Sequence, residues 1–171
     1  MSTVPFSVRP GEAGDLEQIN TLYNHYVATS PATFDIEPIT MEARREWFTH
    51  YAATGRYRLF VAVEGPRLAG YATSSPLRAR AAYQTSIETT AYVAPDDIGR
   101  GIGSALYTAL FDAIAGEDLH RAYAGITQPN PASVALHERF GFVRAGLYTE
   151  QGRKFDRYWD VAWYEKPLEG S

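Results

Sequence analysis

The stretch Ile98-Gly99-Arg100-Gly101-Ile102-Gly103-Ser104 places glycine at every second position directly ahead of a helical run. Glycine lets a backbone turn sharply and approach a ligand with no side chain between them. The first N–H groups of a helix have no partner inside it, and the helix dipole is positive there, so such a loop can hold a phosphate. A turn that merely joins two elements has the same composition, and the loop alone leaves both readings open. Two other phosphate motifs fit worse. A dinucleotide fingerprint wants a third glycine three residues after the second, where Ser104 or Leu106 stands. A P-loop wants Lys-Ser or Lys-Thr after its last glycine, but Ser104-Ala105 follows Gly103.

The flanking segments must position this loop. A strand over 85–94, closed by Pro95, leads into it, and a helix over 104–115 leads out. Upstream, a short strand over 6–9 is followed by Leu16, Ile19, Leu22, Tyr23, Tyr26 and Val27 at helical spacing. A loop over 30–38 follows, and Thr40 can cap a second helix that puts Trp47, Phe48 and Tyr51 on one side. Segments 59–64 and 68–73 flank Gly65-Pro66 and read as a hairpin. Downstream come a strand over 120–126, a helix over 131–140, and strands near 142–147 and 158–165. The order predicts an α/β or α+β fold, with a mixed, mostly antiparallel sheet covered by helices on both faces. No repeat or linker interrupts it, so residues 1–171 are expected to form one domain.

Beyond the glycine loop, Asn130-Pro-Ala-Ser133-x-x-Leu136-His137 followed by Gly141-Phe142 completes an ordered set that resembles the GNAT acetyltransferase superfamily. More narrowly, the chain resembles phosphinothricin acetyltransferases and the related methionine sulfone and sulfoximine acetyltransferases. The residues that carry this are Leu77-Arg-Ala-Arg-Ala-Ala-Tyr83, Ser86-Ile-Glu88-Thr-Thr-Ala-Tyr92-Val93, and Gly152-Arg-Lys154 with Asp160-Val161. The chain departs from the pattern at Ile98, where the family usually has Gln or Arg, and at Tyr158, where the narrower group usually has Trp. At the first of these a side-chain contact to the cofactor is either absent or partly replaced by Arg100.

The resemblance implies acetyl-CoA as donor, a primary amine as acceptor, direct attack on the thioester, no metal, and a homodimer. Backbone N–H groups of Ile98, Gly99, Arg100, Gly101, Ile102, Gly103 and Ser104 would hold the pyrophosphate. The pantetheine arm would pair with the Tyr92, Val93 and Ala94 backbone and leave an N–H for the developing oxyanion. Asn130 would contact the same arm, with Ser133 nearby, although Asn130-Pro131 is also an ordinary helix start. An amine is mostly ammonium at pH 7, so a base must take its proton. Glu88, on a strand face with Ser86, Thr90 and Tyr92, stands where the narrower family has its glutamate. Partial burial would raise its pKa, whereas a merely solvent-facing glutamate would do nothing. His137 stands where many GNAT enzymes have a tyrosine and can protonate the leaving thiolate; a capped surface histidine is the alternative. Arg78 and Arg80 can bind an acceptor's carboxylate or phosphinate, with Phe34 and Tyr83 as walls. Lys154 and Asp160 read as an ion pair or a subunit contact.

Formal net charge is −4 with no basic block, which argues against a nucleic-acid partner. The absence of cysteine removes disulfides and thiolate chemistry, and fits a cytoplasmic protein. No apolar run has membrane-spanning length, and His25, His50 and His120 show no metal-ligand spacing. Three functions remain in view: acetylation of a small amino-acid-like amine, acetylation of a protein N-terminus or another amine, and a non-catalytic CoA-binding domain.

Overall fold

The computed structural model describes residues 5–168. In chain order the elements are β1 (Ser7–Pro10), α1 (Leu16–Thr29), α2 (Met41–Phe48), β2 (Leu59–Glu64), β3 (Arg67–Pro76) and β4 (Ser86–Val93), then α3 (Ile102–Ile114), β5 (Arg121–Thr127), α4 (Pro131–Arg139), β6 (Val143–Lys154) and β7 (Arg157–Pro167). The strands form one sheet in the order β1-β2-β3-β4-β5-β7-β6. Every neighbouring pair is antiparallel except β4 and β5.

The central strands are apolar on both faces because helices cover both. From β2, Leu59 and Val61 pack with Leu16, Ile19 and Leu22 of α1, while Phe60 and Ala62 pack with Ile102, Leu106 and Leu110 of α3. Alternation of side chains along the strand produces this division. A further cluster joins Ile87, Ala122, Ala124, Ala162 and Phe142 to the end of α3, with Val134 of α4 and Phe140 just past its end against it.

Thr40 caps α2 as its sequence predicts, its hydroxyl accepting from Ala43 N–H at 3.2 Å. The helix stops at Phe48, so Tyr51 lies past its end, although its ring still meets Trp47 at 4.7 Å. The largest departure from the sequence reading is β6, expected near 142–147 but running to Lys154. It is an edge strand, exposed along most of its length, with a register shift between Tyr148 and Gly152. Such a strand needs no apolar alternation, so its second half carries no periodic signal.

One irregularity matters for function. β4 and β5 pair only through Ser86–Arg121, Ile87–Ala122 and Glu88–Tyr123. Past Glu88 they diverge, and β5 continues in register with β7 instead.

Candidate active site

The glycine loop sits where β4 hands over to α3. Gly99 and Gly101 have φ of +87° and +82°, which side chains other than glycine adopt at a cost, and Gly101 is the residue that starts the helix. The first backbone bond of α3 runs from Ala105 N–H to Gly101 C=O, so the N–H groups of Ile102, Gly103 and Ser104 have no helical partner. Gly103 has a different reason for being glycine: a Cβ there would come within 3.1 Å of Leu136, so it admits α4 against α3.

Not every loop N–H is free. Ile98 N–H reaches Pro95 C=O at 3.5 Å and Arg100 N–H reaches Asp97 C=O at 3.3 Å. The Arg100 guanidinium is turned to Asp97 and Glu64, which also hold Arg67. Through these pairs Arg100 braces the loop against the β2–β3 hairpin. Ile98 itself is 58% exposed. The cation that does approach the loop is Arg139, at the end of α4, whose Nη1 donates to Ser104 Oγ at 3.0 Å.

The edge of β4 is also only partly available. Ala94 N–H is committed to Ala69 C=O at 2.8 Å, so antiparallel alternation turns Tyr92 and Ala94 toward β3 and Ala91 and Val93 toward β5. Val93 C=O accepts from the Tyr26 hydroxyl at 2.6 Å. Of the three residues expected to pair with an extended ligand, Val93 keeps an N–H facing the divergence.

Glu88 lies at the last paired position before the strands part. Burial pushes its pKa up, and the positive charge of Arg78 partly opposes this. Its carboxylate has no hydrogen bond or ion pair among the described residues.

His137 is buried on α4. Its Nδ1 lies 2.7 Å from the Ser133 carbonyl oxygen, which can only accept, so Nδ1 carries the proton. Nε2 is then an acceptor, and the Tyr107 hydroxyl 2.8 Å away donates to it. Burial lowers the His137 pKa, against the opposing effect of the Ser133 carbonyl, and keeps the ring neutral. In this arrangement one ring nitrogen has no proton and the other's is held by the Ser133 carbonyl. Asn130 caps α4, its side-chain oxygen accepting from Ser133 N–H at 3.1 Å.

Arg78 borders a cavity of about 300 Å³ with Leu77, Tyr123, Tyr148 and Trp163, and Tyr123 is the β5 partner of Glu88. Arg80 and Tyr83 are exposed on the segment between β3 and β4. Phe34 lies against the β6–β7 hairpin, where a Cβ on Gly152 would come within 2.4 Å of its ring. The expected Lys154–Asp160 ion pair is absent. Lys154 is buried and donates to the carbonyls of Ser30 and Thr33, each at 2.8 Å, while Asp160 accepts from Glu150 N–H at 2.7 Å. No cluster of three metal-ligating side chains occurs among the described residues, and no helix there is long and apolar enough to cross a membrane.

A model of the acetyltransferase (GNAT) family matches residues 19–142, spanning β4, the glycine loop, α3 and α4. The chain belongs to the acetyltransferase (GNAT) family. It is an N-acetyltransferase. A phosphinothricin N-acetyltransferase of Streptomyces coelicolor is 61% identical over 97% of this chain and 98% of its own length. An L-methionine sulfoximine/L-methionine sulfone acetyltransferase of Pseudomonas aeruginosa is 31% identical over 95% of each chain. Among solved structures, a phosphinothricin acetyltransferase of Sinorhizobium meliloti in complex with acetyl-CoA superposes with TM-score 0.89 at 32% identity, covering 97% of this chain and 90% of that one.

Within this GNAT enzyme, the sequence pattern left out Tyr107, Arg139 and Tyr26. Tyr107 sits in an apolar helical run and reads as core packing; its hydroxyl acquires meaning only when α4 is laid beside α3. Arg139 and Tyr26 reach their partners, 35 and 67 residues away, only in the folded chain.

Proposed function

We propose that this enzyme transfers the acetyl group of acetyl-CoA to the primary amine of a small amino-acid-like acceptor of the phosphinothricin, methionine sulfone or methionine sulfoximine type. The observation that carries the reading is Glu88, a half-buried carboxylate with a raised pKa at the point where β4 and β5 part, beside the cavity bordered by Arg78. The chain's own groups fit the donor. Free N–H groups of Ile102, Gly103 and Ser104, with Arg139 beside them, suit a pyrophosphate, and the Ala91–Val93 edge suits an extended arm. Acetyl-CoA supplies an activated acetyl thioester.

Glu88 takes the proton of the acceptor's ammonium, directly or through one water, a task its raised pKa favours; the freed amine attacks the thioester carbonyl, the C–S bond breaks, and the CoA thiolate leaves and takes a proton from water. The Val93 N–H can donate to a carbonyl oxygen that gains negative charge. Arg78 holds the acceptor's α-carboxylate, with Arg80, Tyr83 and Phe34 shaping the approach. His137 acts through Tyr107: the pair fixes α4, which carries Asn130 and Ser133, against α3 and the Thr89 position of β4, where Tyr107 Oη lies 3.4 Å from Thr89 Oγ1. We further infer a single domain over 1–171, working in the cytoplasm as a homodimer without nucleic-acid or membrane partners. The exposed Val143, Leu147 and Tyr148 of β6 and Tyr158 of β7 support the dimer, and the net charge of −4 speaks against nucleic acid.

A second reading, acetylation of a protein N-terminus, draws on a ribosomal-protein-alanine N-acetyltransferase of Brucella melitensis that superposes at TM-score 0.88 with 30% identity, covering 95% of this chain and 99% of that one. A panel of amino acids, their sulfone and phosphinic analogues, and peptides, read by thiol release, separates the two. Turnover on the free amino-acid analogues is expected; turnover confined to peptides would establish the second reading.

A further inference from the structure

Arg44, on α2, is 3% exposed, yet it forms no salt bridge with any carboxylate among the described residues. A buried cation ordinarily has a counter-charge. Its Nε donates to Asn20 Oδ1 at 3.1 Å, and its guanidinium lies 4.8 Å from the Tyr23 ring centroid and 4.5 Å from that of Trp47. Nη1 and Nη2 have no hydrogen-bond partner among the described residues. The fork of the guanidinium is thus desolvated and stacked, with its two end nitrogens unused.

Its surroundings belong to the face that carries Glu88. Tyr71 pairs with Tyr92, Thr73 with Thr90 and Ser75 with Glu88 across β3 and β4, so these side chains line one face. Trp47 packs on Tyr71 at 6.1 Å, and the Tyr51 hydroxyl lies 2.9 Å from Ser75 Oγ. Burial raises the pKa of Tyr23, Tyr51, Tyr71 and Tyr92, and in each the positive charge of Arg44 pulls the other way. Glu88, by contrast, responds to Arg78. Tyr23, on which Arg44 stacks, packs against Tyr92 at 5.4 Å, so Arg44 addresses the Tyr92 end of the face that carries Glu88.

We infer that Arg44 is the subsite for an oxyanion at the far end of the acceptor's side chain, separate from the α-carboxylate held near Arg78. This rests on the amine acceptor proposed above. An amino acid keeps its α-carboxylate beside the amine, whereas a side-chain phosphinate or carboxylate lies several bonds away, and Arg44 meets this face through Trp47 and Tyr71, opposite Tyr92 and not at Glu88. A guanidinium with two unused donors matches two oxygens of such a group, and a neutral sulfone gains much less from it.

The test compares phosphinothricin, with its anionic phosphinate, and methionine sulfone, with a neutral end, on wild type, Arg44→Gln and Arg44→Lys. Arg44→Gln is expected to lower kcat/KM for phosphinothricin about 30-fold or more, chiefly through KM, and that for methionine sulfone by less than about 3-fold. Arg44→Lys should keep part of the preference, as a point charge without the fork. Calorimetric binding of phosphinothricin to the CoA-bound protein should weaken in the same order. This binding reads Arg44 even if neither compound is turned over, an outcome that would remove the acceptor reading alone. Equal losses for both acceptors would make Arg44 a brace between α1 and α2 and overturn the inference, as would unchanged kinetics or no phosphinothricin binding to wild type.

Discussion

The Tyr107 hydroxyl donates to His137 Nε2 at 2.8 Å, and both side chains are buried between α3 and α4. The helix that follows the glycine loop and the helix that Asn130 caps are thereby joined by a buried polar contact, in addition to the exposed Arg139–Ser104 bond. Burial makes that contact costly to break, because neither group has water to turn to.

Tyr107→Phe removes the donor and leaves a buried acceptor nitrogen, which should cost about 1–3 kcal/mol in denaturant unfolding. Turnover should fall by roughly 3- to 10-fold, less than the loss on removing the base, since Tyr107 positions rather than reacts. A loss as large as that of Glu88→Gln would instead give the pair a direct part in proton transfer.

His137 also makes stability depend on pH. Its folded pKa is below the ordinary value of 6.5, so the unfolded chain binds the proton first as pH falls. The contribution is complete above 6.5 and is lost as pH drops from there toward the folded value. Thermal unfolding of His137→Gln across pH 5–8 should lack that part of the slope (the window follows the ordinary histidine pKa of about 6.5). An unchanged slope would show that the ring already titrates normally.

Glu88 works in the opposite sense. Its folded pKa is above the ordinary 4.5, so stability is lost as pH rises through 4.5 toward the folded value. Glu88→Gln should therefore raise Tm at neutral pH while lowering kcat by about 10²- to 10⁴-fold with acetyl-CoA affinity nearly unchanged. Arg78→Ala removes the charge that opposes the rise, so the acidic limb of the kcat/KM profile should move to higher pH. A limb that stays in place would mean that another group controls it.

Lys154 ties the β6–β7 hairpin to the loop after α1. Lys154→Met leaves the Ser30 and Thr33 carbonyls without their donor and should raise the acceptor KM several-fold while the acetyl-CoA KM holds. Parallel rises in both would mark a general loss of structure.

Gly101→Ala places a side chain at φ +82° and should cost about 1–2 kcal/mol and weaken acetyl-CoA binding. Arg139→Ala should weaken it without touching stability, and the loss should shrink at high salt. Equal affinity in both variants would move the pyrophosphate away from this loop.

Residues that repeat with the period of their own element were legible in the sequence. Leu16, Ile19 and Leu22 announced α1, and the alternation around Glu88 announced β4. The glycine loop was legible because φ above zero selects glycine. What stayed hidden depends on distant chain segments meeting. Lys154 resembled half of an ion pair until its two carbonyl partners, more than a hundred residues away, came into view. Arg100 looked available for phosphate because nothing local reveals that Glu64 claims it. His137 looked like a free acid because the donor on its other side, Tyr107, sits in a helix that reads as plain core. Arg44 had no signal at all, since an arginine on a short amphipathic helix is usually solvated.

The central claim is that this site acetylates the amine of a free amino-acid analogue from acetyl-CoA with Glu88 as base. The direct measurement is the mass and initial rate of product from phosphinothricin or methionine sulfone, with wild type and Glu88→Gln, across pH 6–9. Wild type should yield the N-acetyl compound, and Glu88→Gln should form it at least about 100-fold more slowly at neutral pH. An unmodified acceptor with wild type, or a Glu88→Gln rate equal to wild type throughout, would contradict the account.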